Sequence, residues 1–256
     1  MFRSFTALGL IAVLASPALA QEINLYSSRH YDTDLRLYEN FTAATGIRIN
    51  LIEGEGEQLM ERIRTEGENS PADIFVTVDG GRLHRAVEAG IFQPIESAVL
   101  EERVPANFQH PDNLWFGLSS RARVIFTRTG ERPDWLDDYE DLADPRLAGE
   151  ICIRSSSNIY NVSLMAELIE VLGAEAAEEW AAGVNANLAR APQGGDRDQL
   201  RALAAGECSV AVSNTYYWGA LAASDNPDDR AVAEAVEFFY PNQGTEAEPG
   251  RGAHVN

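Results

Sequence analysis

Residues 23–31 read Ile23-Asn24-Leu25-Tyr26-Ser27-Ser28-Arg29-His30-Tyr31, and this stretch with its flanks decides the fold class. Ile23 to Ser27 reads as a first strand. Asp32 to Thr45 follows as an amphipathic helix, with Leu35, Leu37, Tyr38 and Phe41 expected to face inward and Gly46 closing its C-terminal end. Ile47 to Ile52 alternates Ile47, Ile49 and Leu51 with polar residues, the signature of a second strand. Working outward, Glu57 to Thr65 is a helix and Ala72 to Val78 a third, nearly continuous apolar strand. Gly80-Gly81 then opens a helix that runs to Ala89. This βαβαβα order implies a mostly parallel sheet with helices on both faces.

Trp115 to Arg128 reads as two extended segments around Ser119-Ser120-Arg121. A second α/β series then begins. Strands are expected at Glu150 to Arg154, Ser209 to Ser213 and Val236 to Tyr240. Helices are expected at Tyr160 to Leu172, Ala174 to about Leu188, Gln199 to Ala205 and Thr215 to Ala223. Two such series joined by extended crossings suggest an α/β protein of two lobes, each a sheet flanked by helices, with a ligand cleft between them. The expected first lobe is 21–110 plus 241–256, and the second is 111–240.

The N-terminus and the composition bound the setting. Arg3 precedes an apolar run from Phe5 to Ala15, and Ser16-Pro17-Ala18-Leu19-Ala20 ends in the small-x-small pattern of a signal-peptidase site. The run is too short for a bilayer, which takes about 20 residues. Residues 1–20 are therefore expected to be a signal peptide, cleaved before Gln21, that sends the chain to the periplasm. No later apolar stretch is long enough to hold it in a membrane. The net charge of −20 argues against nucleic acid and anionic lipid as partners. All twenty basic residues are arginine, which excludes lysine Schiff-base chemistry. The four histidines form no zinc motif, and no Gly-x-Ser-x-Gly elbow occurs, so an enzyme is not expected.

In doubly wound sheets ligands sit beyond the carboxyl ends of the strands. The loops there carry Tyr31, Tyr160, Tyr216 and Tyr217, with His30 beside the first. Phenols ionise near pH 10, so free ones are neutral at pH 7. A hard, highly charged cation drives the proton off, and three phenolates would neutralise Fe³⁺. The bland reading is aromatic packing, which we give to Tyr26, Tyr38, Tyr139 and Tyr240.

Several segments together resemble one family. They are Tyr26 to Tyr31, Pro71-Ala-Asp-Ile-Phe-Val-Thr-Val-Asp79, Trp115-Phe-Gly-Leu-Ser-Ser-Arg-Ala-Arg123, Pro192-Gln-Gly-Gly-Asp-Arg-Asp-Gln199 and Asn214-Thr-Tyr-Tyr217. The chain is similar to the periplasmic ferric-ion-binding proteins of bacterial iron ABC transporters, the bacterial transferrins of the type II periplasmic-binding-protein fold. The resemblance implies that Tyr216 and Tyr217 bind iron directly, joined by Tyr31 and Tyr160, with His30 ranked below them. It implies an inner-membrane ABC permease as partner, and a monomer is expected. Some relatives use a first-lobe carboxylate and a captured anion. Glu57 is a candidate for the first, although an acid there equally favours the helix dipole. The loop from Ser155 to Asn158 could cradle carbonate or only cap its helix. The chain stops at Arg251-Gly-Ala-His-Val-Asn256, in what the resemblance treats as mid-protein, so a C-terminal truncation is expected.

Two matters stay open on sequence alone. Cys152 and Cys208 each lie eight residues before a candidate tyrosine, and they either pair in an oxidising compartment or stay as buried thiols. The rival function keeps the fold but binds an organic anion, sugar or polyamine.

Overall fold

In the computed structural model, residues 21–29 and 31–241 are described. The signal-peptide segment 1–20, His30 and the tail 242–256 lie outside them. The chain divides into two compact units between Thr77 and Val78.

The first unit holds β1 (Glu22–Ser27), α1 (Asp32–Thr45), β2 (Arg48–Glu53), α2 (Gly56–Glu66) and β3 (Ile74–Val76). Its sheet has the order β2-β1-β3 and is parallel throughout, with Glu22 opposite Arg48 and Leu25 opposite Ile74. Parallel neighbours need a crossover, and α1 and α2 supply the two. Gly46 ends α1 at φ 75°, where its N–H reaches the Thr42 carbonyl at 2.8 Å. A side chain at that φ would be strained, which is why glycine stops the helix here. Leu25, Tyr26, Leu59 and Ile63 are buried. The inward face expected of α1 is not: Leu37 is 65 % exposed, and Leu35 and Phe41 are exposed too. The apolar period placed the helix correctly, but no element among the described residues covers that stripe. Periodicity decides helix, and packing decides burial.

The second unit holds α3 (Gly80–Glu88), α4 (Ala98–Arg103), β4 (Arg123–Arg128), β5 (Ile151–Cys152), α5 (Ile159–Leu172), α6 (Ala174–Ala186), α7 (Asp196–Ala204), β6 (Val210–Asn214), α8 (Thr215–Ala222), α9 (Pro227–Ala235) and β7 (Val236–Phe239). Its sheet has the order β5-β6-β4-β7. β5 and β6 are parallel, whereas β4 runs antiparallel to both β6 and β7. Three strands thus share a direction, with β4 reversed between two of them. The sheet is mostly parallel in direction, though not in pairing.

Side chains alternate across this sheet as the pleat requires. Ile125, Ile151, Val210 and Val212 face Leu164, Leu168, Trp180 and Val184 of α5 and α6. Val124, Phe126, Cys152 and Ala211 face Leu200, Leu203, Leu221 and Ala233 of α7, α8 and α9. Both faces are covered, which fits the near-continuous apolar sequence of β4. Segment 78–110, expected with the first lobe, begins inside the second unit because Asp79 bonds to Arg121 and Ser163 there.

Cys152 and Cys208 form a disulfide, with Cα atoms 5.9 Å apart. The equal eight-residue spacings do not explain it, since Cys152 lies opposite Ala211 in the ladder. Cys208 instead precedes β6 and is buried with Cys152 in the α7–α9 layer. Cys152→Ala with Cys208→Ala should lower unfolding free energy by about 2 to 4 kcal/mol. Urea unfolding of the oxidised chain beside the variant measures it, and coincident curves would remove the disulfide from the stability argument.

Candidate metal centre

One edge of the second sheet collects the candidate groups, and strand direction is the cause. β5 and β6 end at that edge, and the reversed β4 begins there. After β5 the chain passes Arg154 and the serine loop into α5. Asn158 caps this helix, accepting from the Tyr160 N–H at 3.1 Å. Asn161 Nδ2 donates back to the Arg154 and Ser155 carbonyls, fixing the loop. After β6, Asn214 leads straight into α8, whose first turn carries Tyr216 and Tyr217.

The three phenols meet. Tyr216 Oη donates to Tyr160 Oη at 3.2 Å. The Tyr216 and Tyr217 rings lie 4.2 Å apart between centroids and are tilted by 34°. Tyr160 is buried, and its partners are half-buried. Burial, reinforced by the neighbouring phenols of Tyr217 and Tyr160, pushes the Tyr216 phenol well above its ordinary value. Burial is also the main cause of the upward shift at Tyr217, with Tyr160 adding to it. Metal-free, Tyr216 and Tyr217 are neutral phenols that only a strong cation would deprotonate.

This has a consequence at high pH. The folded pKa values of these two phenols lie above the unfolded value of about 10, so the unfolded chain releases their protons first. The folded metal-free protein should therefore lose stability as pH rises through 10. Melting temperatures from pH 8 to 11 should fall more steeply for the wild type than for Tyr216→Phe, Tyr217→Phe. Parallel slopes would show that these phenols do not set the alkaline limit.

Arginines surround the cluster. The guanidinium carbons of Arg121, Arg154 and Arg123 lie 4.6, 5.5 and 6.0 Å from the Tyr160 ring centroid, and that of Arg197 lies 5.9 Å from the Tyr217 ring. Asp196, fully buried at the start of α7, pairs with Arg123 at 2.8 Å and also with Arg154. Arg123 Nη1 further donates to Asn214 Oδ1 at 3.1 Å, just before the tyrosine pair. Sequence reasoning gave none of these arginines a role, although it quoted the segments that hold Arg121, Arg123 and Asp196. The missed signal was Arg123 itself, a charge opening the apolar run Val124-Ile125-Phe126.

Tyr31 lies in the first unit, half-buried at the N-cap of α1, with the Arg29 guanidinium carbon 5.2 Å from its ring centroid. His30 lies outside the described residues. Glu57 stands exposed in the first turn of α2, where a carboxylate favours the helix dipole. Of the tyrosines assigned to packing, Tyr26 and Tyr139 are buried, and Tyr139 Oη donates to the Arg123 carbonyl beneath the site. Among the described residues no helix is long and apolar enough to cross a membrane.

The chain matches the bacterial extracellular solute-binding protein family over residues 69–250. It is 52 % identical over 242 residues to iron uptake protein A1 of Synechocystis, covering 94 % of this chain and 66 % of that protein. It therefore spans about two thirds of that relative's length. A Trichodesmium protein solved in complex with iron and citrate is similar at 55 % identity and a TM-score of 0.85, over 92 % of this chain and 73 % of that one. The ferric binding protein of Campylobacter jejuni is similar at 41 % identity and a TM-score of 0.85, over 91 % and 73 %. This chain belongs to the bacterial extracellular solute-binding protein family.

Proposed function

We propose that the chain is a periplasmic solute-binding protein that captures ferric iron through tyrosine phenolates and delivers it to an ABC importer. The observation that carries the reading is the convergence of Tyr160, Tyr216 and Tyr217 at one end of the sheet, with the Tyr160 and Tyr216 phenol oxygens 3.2 Å apart and the Tyr217 ring 4.2 Å from that of Tyr216. The iron-binding and iron-uptake names of the relatives support the same cargo, and they give no support to an organic solute alone.

Tyr31 is the fourth phenolate in this reading and His30 a subordinate ligand. An anion such as carbonate completes coordination at the N-terminus of α5. There the Ser155–Asn158 loop leads into the helix N-terminus, and Arg154 lies alongside. The citrate in the Trichodesmium complex supports an oxygen-donor anion beside iron. The chain acts as a monomeric binder rather than an enzyme, with no nucleic-acid partner, after loss of a signal peptide at residues 1–20.

Ferric citrate titrated into the purified chain should raise a red-orange phenolate-to-iron band that saturates near one equivalent. A folded chain that shows no band would overturn the proposal. Because binding requires deprotonated phenols, protons compete with iron. Iron loaded at pH 7 should be released as pH falls, and band intensity followed from pH 8 to 4 checks the sign. A band that keeps its full intensity at pH 4 would show that protons do not displace the iron in this range and would overturn the expected acid release.

A further inference from the structure

Asp79 has a geometry that helix capping alone does not require. It is one of two described non-glycine residues at positive φ, 82°, the other being Asn113. Its side chain is only 1 % exposed. Oδ1 accepts from the Gly81 N–H at 2.9 Å, capping α3, and from Ser163 Oγ of α5 at 2.5 Å. Oδ2 accepts from Arg121 Nη2 at 3.2 Å. An N-cap carboxylate ordinarily sits exposed in extended backbone. Strain with burial persists only where the surroundings over-determine it.

Those surroundings are the neighbours of Tyr160. Arg121 places its guanidinium carbon 4.6 Å from the Tyr160 ring centroid, and its buried Nε has no hydrogen-bond partner among the described residues. Asp79 and the ring therefore fix it. Ser163 lies one helical turn beyond Tyr160 on the same side of α5. Gly81 permits the close approach, since a Cβ there would lie 3.3 Å from Asp79 Oδ1 and 3.6 Å from Ile159 Cδ1.

We propose that Asp79 is a positioning residue for the tyrosine cluster. It holds the cation stacked on Tyr160 and the helix turn that carries Tyr160 with a single carboxylate. The inference rests on reading that cluster as the iron site. Asparagine at 79 keeps the shape and an acceptor oxygen but loses the charge that holds Arg121, and Ser163→Ala removes only the contact to α5.

The test compares Asp79→Asn and Ser163→Ala with the wild type, first as iron-loaded chains and then metal-free. Asp79→Asn should shift the phenolate-to-iron band and speed iron loss to a competing chelator about tenfold. Ser163→Ala should speed it less, with circular dichroism unchanged in both. In the metal-free chains, amide exchange across Tyr160–Ser163 should quicken. Wild-type band, release rate and exchange in both variants would overturn the proposal. If the wild type gives no band, the iron reading falls and exchange alone decides: faster exchange at Tyr160–Ser163 supports the positioning role, and unchanged exchange overturns it. If Asp79→Asn does not fold, Ser163→Ala is judged by the same readouts.

Discussion

A chain carrying Tyr216→Phe and Tyr217→Phe is expected to lose the saturable ferric band and at least about 100-fold in iron affinity while remaining folded. Outer contacts to a metal ligand are already worth about 10- to 100-fold in affinity, and these substitutions remove two proposed ligands outright. The folding side is mild because phenylalanine keeps the ring pair at 4.2 Å and the Tyr217 packing against the α7–α9 layer. What goes is two half-buried hydroxyls and the bond to Tyr160, a change of about 1 to 2 kcal/mol. The single variants separate the roles, since only Tyr216→Phe breaks that bond in the metal-free chain. Isothermal titration with ferric citrate beside a thermal melt measures both quantities. Wild-type affinity in a folded double variant would remove the tyrosine pair from the site.

The order of elements was legible because period and punctuation suffice for it. Alternation at Ile47, Ile49 and Leu51, the Gly46 stop and the Asn158 cap each act within a few residues. So was the placing of Tyr160 and the Tyr216–Tyr217 pair at strand ends, which needs only strand-then-helix order. The direction of β4 was not legible, since alternation is the same whichever way a strand runs. Yet that reversal is what brings Arg121 and Arg123 to the tyrosine edge. α9 was missed although Asn226 and Pro227 mark its start, because its polar sequence hides the period. The disulfide needed a register that spacing could not supply: Cys208 pairs from outside the ladder. In each case the missing information lay in pairing between distant segments.

The arginines raise an energetic question that the tyrosines alone do not. Buried charge is costly, and a buried ion pair is often no more stabilising than apolar residues of the same volume. The Arg123–Asp196 pair, with both side chains fully buried, therefore does not by itself account for stability. What it does is fix positions: Arg123 reaches Asn214 beside the tyrosine pair, and Asp196 holds Arg154 as well. Its dependence on one carboxylate makes the expected effect of removing it large. Asp196→Ala leaves one wholly buried and one half-buried guanidinium without their counter-ion, which should cost about 3 to 5 kcal/mol. Asp196→Asn should cost nearly as much, since an amide offers one acceptor oxygen to two cations. Arg123→Met added to Asp196→Ala should recover part of the loss by removing the stranded charge, which simple additivity of two damaging substitutions does not allow. Urea unfolding of the three variants at one pH decides the matter. If Asp196→Ala unfolds within 1 kcal/mol of the wild type, the network is not the brace of this edge. If the double variant recovers stability but not the ferric band, the charges are retained for the site rather than for the fold.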